Sequence, residues 1–180
     1  MTKHGLHDKP KNIFNIDESA LQTEHTPSKI VHDKNVNLQC VTSNRSVNIT
    51  IIEAGNAIGN CIPPYYVFSG KRFDRSLLEG TPAGTDGQCC ETGWSNSLVF
   101  KTYLEKHFLN YIPTSTETPT LVMFDGHRSH ISLDLLKWAE SKHLILFVLP
   151  PHCSHILQPL DICCFGPFKQ HYNTECKNFH

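Results

Sequence analysis

The sequence predicts an α/β domain with a central mixed sheet, and two observations carry this prediction. Residues 121–124 and 144–149 are apolar runs with the length and composition of strands buried on both faces. The stretch between them has helical character, which is typical of parallel strands joined by a crossover helix. Residues 36–41 and 46–53 are rich in β-forming side chains around a turn at 43–46, which predicts an antiparallel hairpin.

The other elements follow from local signals. Val99 with Tyr103, and Phe100 with Leu104 and Phe108, lie at helical spacing. Ser95 or Asn96 is suited to cap that helix. Before that helix, the sequence predicts a strand over 13–16 that ends at Asp17, a turn over 54–60, a strand over 61–69 and a long loop over 70–93. After it, the sequence predicts a helix from Ser129 or Ser132 to about Lys142 and a helix from Ile162 to about Lys177.

Composition predicts a single globular domain and gives no sign of a membrane protein. Hydrophobic residues make up 39% of the 180 residues and charged residues 18%, which is ordinary for a globular protein. No run approaches the roughly 18 apolar residues that span a membrane. The polar N-terminus also lacks the apolar core of a signal peptide.

The eight cysteines leave two interpretations open. No Cys-x-x-Cys spacing occurs, and the adjacent pairs Cys89-Cys90 and Cys163-Cys164 do not have the spacing of zinc ligands. Cys153 and His155 are suited to bind zinc with partners elsewhere in the chain. The simpler interpretation is a set of inert thiols in a reducing compartment.

Acidic residues stand where the predicted strands end. Asp17 and Asp125 each end a strand, and Asp161 lies on the polar loop after the run at 144–149. Open α/β sheets bind ligands at the carboxyl ends of their strands. These acids therefore predict chemistry on a metal ion or a phosphate, although an acid at such a position also serves simply as a turn residue.

Three segments carry a family resemblance. FDGHRSH at 124–130, LPPHCSHILQPLD at 149–161 and FGPFK at 165–169 resemble the integrase-type DDE endonuclease domain of the pogo, Tigger and jerky transposases. With NIFNIDE at 12–18 and NAIGN at 56–60, the resemblance covers nearly the whole chain in order. It implies a ribonuclease H-like fold, in which an antiparallel meander is extended by parallel strands and flanked by helices.

The resemblance also implies a domain organisation, and the sequence departs from the family pattern at one place. Residues 1–10 are expected to be an upstream linker remnant, and residues 11–180 the catalytic domain, incomplete at its C-terminus. The family's N-terminal helix-turn-helix region has no counterpart in this sequence. Ser19-Ala20 stands where the family has Thr-Gly, and losing glycine removes easy access to positive φ, so the local turn is in question.

By resemblance, Asp17, Asp125 and Asp161 are the catalytic, metal-binding triad. The implied cofactor is a pair of Mg²⁺ or Mn²⁺ ions, with Asp17 and Asp125 bridging them and Asp161 holding the second. Hard cations of this kind take oxygen ligands, and clustered carboxylates without a cation repel one another. Glu18 points to the opposite face of the strand, so it is expected to support the site without touching the metal.

Other candidates carry two interpretations each. His127 and His130 are suited to contact phosphate or orient Asp125, but solvated or core histidines are equally common. Lys71 and Arg72 form a small basic cluster that suits a DNA backbone or simply faces solvent. Gln158, which precedes the third acid, is expected to have a geometric role in its turn.

The implied activity is metal-dependent cleavage and transfer of DNA strands by a homo-oligomer in the nucleus, with no membrane association. The alternative is a domesticated, transposase-derived protein that associates with DNA or chromatin without cutting it. The net charge of −1 favours the alternative, because phosphate neutralisation supplies most DNA affinity, whereas the intact acids favour the enzyme. A nuclease or phosphatase acting on other substrates is a third interpretation.

Overall fold

The computed structural model describes residues 2–23, 47–113, 117–125 and 132–178, and these form one mixed sheet with helices on both faces. The strands are β1 (Ile13–Gln22), β2 (Asn48–Asn56), β3 (Tyr65–Ser69), β4 (Asp86–Cys90), β5 (Thr120–Phe124) and β6 (Leu144–Val148). Their spatial order is β4-β3-β2-β1-β5-β6.

Strand β1 joins the antiparallel part of the sheet to the parallel part. It pairs antiparallel with β2 along its length and parallel with β5 over its first residues. Strand β3 pairs antiparallel with β2, while β6 runs parallel to β5. The predicted fold class, a meander extended by parallel strands, is therefore confirmed.

The helices begin at polar caps that the sequence identified. The side chain of Asn96 accepts hydrogen bonds from the backbone N–H groups of Leu98 and Val99, both at 3.0 Å. Ser132 does the same for Leu135 at 3.1 Å. The helices are α1 (Ser97–Lys106), α2 (Leu133–Ser141), α3 (Ser154–Leu157) and α4 (Gly166–Asn178), the last preceded by a π-helical turn at Asp161–Phe165.

The two faces of the sheet have different coverings. Side chains alternate along β1, so Phe14 and Ile16 lie on one face, called the core face, and Asn15 and Asp17 on the other, called the site face. Helices α1 and α2 cover the core face. The core there includes Ile52, Ala54, Tyr65, Val67, Val99, Phe100, Tyr103, Leu104, Phe108, Val122, Phe124, Leu135 and Ala139.

The C-terminal segment and the N-terminal residues cover the site face. The Tyr172 hydroxyl of α4 donates a hydrogen bond to the carbonyl oxygen of Gln22 at 3.3 Å. Leu6 packs with Ile13 and Leu121 at the other end of this face. The site face is thus contacted at both ends of β1, and Asn15, Asp17 and Ser19 between these contacts are also buried.

Two local predictions were wrong. β1 does not end at Asp17 but continues as strand to Gln22, because β2 supplies cross-strand hydrogen bonds along its whole length. No turn follows Ser19-Ala20, so the missing glycine has no consequence there. The predicted loop at 70–93 contains the edge strand β4, which pairs parallel with β3.

One predicted strand is shorter than expected, and another lies outside the described residues. The third strand begins at Tyr65 rather than Cys61, which forms only an isolated bridge to Gly55. The first half of the predicted hairpin, residues 36–41, lies outside the described residues. Within the described part of the chain, no helix is long and apolar enough to cross a membrane.

One buried hydroxyl provides a test of the core. The Tyr103 hydroxyl is fully buried and has no hydrogen-bond partner among the described residues. Because an unpaired buried polar group costs about 1–3 kcal/mol, Tyr103→Phe is expected to raise the free energy of unfolding by about 1 kcal/mol in a urea titration. Tyr111→Phe is the matched control, since its hydroxyl donates to the Gly84 carbonyl at 3.0 Å and its loss should lower stability slightly. Equal losses in both variants would contradict the expectation.

Candidate active site

Asp17 lies in the middle of β1 on the site face, where it is 7% exposed. Its Oδ1 atom accepts a hydrogen bond from the backbone N–H of Glu18 at 2.8 Å. Its Oδ2 atom is buried and accepts no hydrogen bond from the described residues. A buried carboxylate oxygen without a donor is costly, so this atom is poised for a cation or a proton.

Asp125 directly follows β5, which pairs parallel with β1. The pairing aligns Asn15 with Met123 and ends there, two residues before Asp17 and Asp125. The charge of Asp125 contributes to the raised pKa of Asp17, so the two carboxylates interact. The backbone of β5 is held at this point by Leu149, whose N–H donates to the Phe124 carbonyl at 2.9 Å. Asp125 is half-buried at the carboxyl end of β5.

Asp161 approaches the same region from the other side, at the start of the π-helical turn. It is exposed and lines an open cavity of about 670 Å³ together with His152, Ser154, His155 and Ile162. Gln158, three residues earlier, is fully buried against β1, which attaches the segment carrying Asp161 to the site face.

The pKa of Asp17 reflects its burial and the acids near it. The pKa of Asp17 is raised from 3.8 to about 7, chiefly by burial; the negative charges of Asp161 and Asp125 contribute to the rise, and the Glu18 N–H and the Gln158 amide oppose it. Asp161 and Asp125 are therefore each close enough to interact with Asp17. Perturbed carboxylates of this kind concentrate at functional sites, although structural clusters also produce them.

The donor chemistry of this cluster fits a hard divalent cation. The three side chains offer only carboxylate oxygens, which Mg²⁺ and Mn²⁺ prefer, and Asp17 brings an oxygen that lacks a donor. As the side chains lie, no group of three or more His, Cys, Asp or Glu residues in the described ranges is arranged to hold a metal ion. A metal would therefore have to draw the acids closer together.

Glu18 belongs to the opposite side of the sheet. Alternation along β1 places it on the core face, near Ser95 at the start of α1. The pKa of Glu18 is raised to about 7, chiefly by burial; the Ser95 hydroxyl opposes the rise and the charge of Asp125 contributes to it. The orientation expected for Glu18, away from the face that carries Asp17, is the one observed.

The sequence reasoning missed one acid and one polar pair. Glu53 of β2 stands directly opposite Asp17 in the antiparallel register, and burial raises its pKa to about 7. The available signal was an acid continuing the alternating series of Ile49 and Ile51. Asn15 was also missed, because nothing local indicates that it hydrogen-bonds Gln158 across the sequence.

The remaining candidates do not join this cluster. Lys71 and Arg72 are exposed beyond the end of β3. The sheet register puts Phe68 level with Ile49 and Leu21, so the end of β3 is roughly 16 Å from Asp17. The two histidines that follow Asp125, His127 and His130, lie outside the described residues.

The cysteines show no sign of a zinc site in the described ranges. Cys153 and His155 belong to no group of three or more ligands there that could hold a metal ion. The described cysteines are free thiols: Cys61, Cys89, Cys90, Cys153, Cys163, Cys164 and Cys176.

Comparison with known proteins places this site in a family context. The family model for the DDE superfamily endonucleases matches residues 46–179. A human protein named "Pogo transposable element with KRAB domain" is 21% identical over 168 residues, which cover 92% of this chain and 27% of that protein. A protein of Cochliobolus lunatus named "MFS-type transporter clz9" is 35% identical over 129 residues, 71% of this chain and 14% of that protein.

Solved structures agree on the fold. A pre-cleavage Mos1 transpososome matches with a TM-score of 0.58 and 12% identity, over 96% of this chain and 45% of that one. The Mos1 strand transfer complex matches with a TM-score of 0.57 and 12% identity, over 94% and 44%. The ribonuclease H-like fold is thereby confirmed. The chain spans less than half the length of each of these relatives.

Proposed function

The chain belongs to the DDE superfamily endonucleases, and on that premise we propose that it is the catalytic core of a transposase-type enzyme that cleaves and joins DNA strands. The observation that carries the proposal is the buried Oδ2 atom of Asp17, which accepts no hydrogen bond from the described residues and lies in a carboxylate cluster with Asp125 and Asp161. Such a cluster is stabilised by cations and destabilised without them.

In this proposal the three aspartates hold two Mg²⁺ or Mn²⁺ ions. The ions would activate the attacking hydroxyl and stabilise the leaving oxygen of the phosphodiester. The Glu18 N–H fixes one oxygen of Asp17 and so leaves the other for a cation. Asp161 faces the open cavity, where His152 and His155 supply polar groups at the mouth.

The test is thermal unfolding of the full chain with Mn²⁺ or Mg²⁺ and with EDTA. A ligand that binds only the folded state adds about 2.7 kcal/mol at a hundredfold excess over its dissociation constant. We expect this gain for the wild type and for Asp8→Asn, an exposed control, but not for Asp17→Asn or Asp125→Asn. A wild type that does not respond to millimolar metal would contradict the proposal.

A second candidate is association with DNA or chromatin without cleavage, favoured by the net charge of −1. A protein that neutralises few phosphates has an affinity that depends weakly on salt concentration. Cleavage of DNA by the full chain in Mn²⁺, lost in Asp125→Asn, would decide for the enzyme. Stabilisation by metal without any DNA cleavage would decide for a protein that associates with DNA or chromatin without cutting it. In both versions DNA in the nucleus is the proposed partner, and the enzyme is proposed to act as a homo-oligomer.

A further inference from the structure

A buried pair of amide side chains connects the three segments that carry the aspartates. Asn15 of β1 donates from its Nδ2 to the Oε1 of Gln158 at 3.0 Å and to the Met123 carbonyl of β5 at 3.1 Å. Its Oδ1 accepts from the backbone N–H of Leu160 at 3.2 Å. One side chain thus holds β1, β5 and the Asp161 segment together.

Gln158 completes the arrangement from the other side. Its Nε2 donates to the Ile16 carbonyl, next to Asp17, at 3.0 Å. Gln158 is fully buried and Asn15 is 5% exposed, so water does not compete for these bonds. Together the two amides form what we call the Asn15–Gln158 clamp.

The clamp reaches within two residues of every aspartate in the cluster. Ile16 directly precedes Asp17, Leu160 directly precedes Asp161, and Met123 stands two residues before Asp125. A fully paired buried network has directional bonds, so it fixes relative positions more narrowly than apolar packing of the same volume does.

We propose that Asn15 and Gln158 are positioning residues that set the separation of Asp17, Asp125 and Asp161, and through it the affinity of this site for divalent cations. The inference rests on the proposed function, because it assumes that the aspartates bind metal. Residues that orient metal ligands typically change metal affinity by about 10- to 100-fold when they are replaced. A network that only stabilised the fold would leave the metal affinity of the folded protein unchanged.

The experiment measures the Mn²⁺ dissociation constant of the folded full chain by EPR of free Mn²⁺, beside the urea midpoint. Gln158→Met keeps a similar volume and removes the clamp bonds to Asn15 and to the Ile16 carbonyl. The matched control is Thr50→Val, which removes the buried bond from the Thr50 hydroxyl to the Gly93 carbonyl at 2.8 Å on the core face of the same sheet. Both variants are expected to lower the urea midpoint. Gln158→Met is expected to weaken Mn²⁺ binding about 10-fold or more, and Thr50→Val to leave it within about 2-fold.

Asn15→Ser tests the inference if Gln158→Met does not fold. It removes the bonds to Met123 and Leu160 but leaves the Gln158 bond to Ile16, and the same weakening of Mn²⁺ binding is expected. Clamp variants that lose stability yet bind Mn²⁺ as tightly as Thr50→Val would overturn the positioning role alone. A wild type that binds no Mn²⁺ would overturn the proposed function and the inference with it, so the two failures are distinguishable.

Discussion

Asp17→Asn is expected to raise the free energy of unfolding of the metal-free protein by on the order of 4 kcal/mol above neutral pH. Burial raises the pKa of Asp17 from 3.8 to about 7, and the charges of Asp161 and Asp125 add to that effect. Ionising this carboxyl in the folded protein is therefore unfavourable. Asparagine keeps the shape of the side chain and an oxygen for the Glu18 N–H, but carries no charge.

The sign of the pH dependence follows from proton binding. Between 3.8 and about 7 the unfolded chain has released the Asp17 proton while the folded protein retains it. The unfolded state then binds fewer protons, so the stability of the wild type falls as the pH rises through this window. The advantage of Asp17→Asn is expected to be absent below the window and complete above it.

Urea unfolding in EDTA across this pH window tests the expectation. Asp8→Asn is the control, because its exposed side chain makes it a change of charge without a change of burial. A difference between wild type and Asp17→Asn that is the same at every pH would mean that the charge of Asp17 is not what destabilises the fold. Saturating Mn²⁺ is expected to narrow the difference in stability between Asp17→Asn and the wild type, because only the wild type gains from the metal.

The destabilisation caused by the buried charge of Asp17 is expected if the cluster serves a function. Proteins keep destabilising groups where activity requires them, and their removal commonly stabilises the fold at the expense of function. Asp17 interacts with Asp125 and with Asp161 although separate segments carry them. Their approach therefore depends on the sheet register and on the Asn15–Gln158 clamp.

Most of the fold could be predicted from the sequence, because apolar runs and helix caps are local signals. β5 and β6 are continuous apolar runs, and Asn96 and Ser132 cap helices where they were expected. β4 was missed because DGQCC has neither alternation nor β-forming side chains, and its strand character comes from pairing with β3. The extension of β1 past Asp17 likewise depends on β2, a partner that is distant in sequence.

The site could be predicted only in part, for a similar reason. The three aspartates were identified by family resemblance, and spacing alone would not have grouped them. Glu53 and the Asn15–Gln158 contact depend on register and on hydrogen bonds across 143 positions of sequence, which no local pattern encodes. The resemblance thus supplied the candidate site residues, whereas their relative placement had to come from the structure.

Glu18→Gln is expected to stabilise the metal-free protein by on the order of 3 kcal/mol at high pH while leaving the Mn²⁺ response intact. Burial raises the pKa of Glu18 from 4.5 to about 7, so the same argument on proton binding applies, and the wild type loses this contribution as the pH rises between those values. Glu18 differs from Asp17 in its placement, because it lies on the core face near Ser95.

Variants of the adjacent residues Asp17 and Glu18 therefore separate two effects that a single variant cannot separate. One is the cost of a buried carboxylate, and the other is the loss of a metal ligand. Both carboxylates are buried and both have raised pKa values, so both amide variants are expected to stabilise the metal-free protein. Only Asp17 stands on the face that Asp161 approaches, so only Asp17→Asn is expected to abolish stabilisation by Mn²⁺ in thermal unfolding. If Glu18→Gln also abolished it, the metal would depend on both faces of β1, and the assignment of the site to the face carrying Asp17 would be wrong.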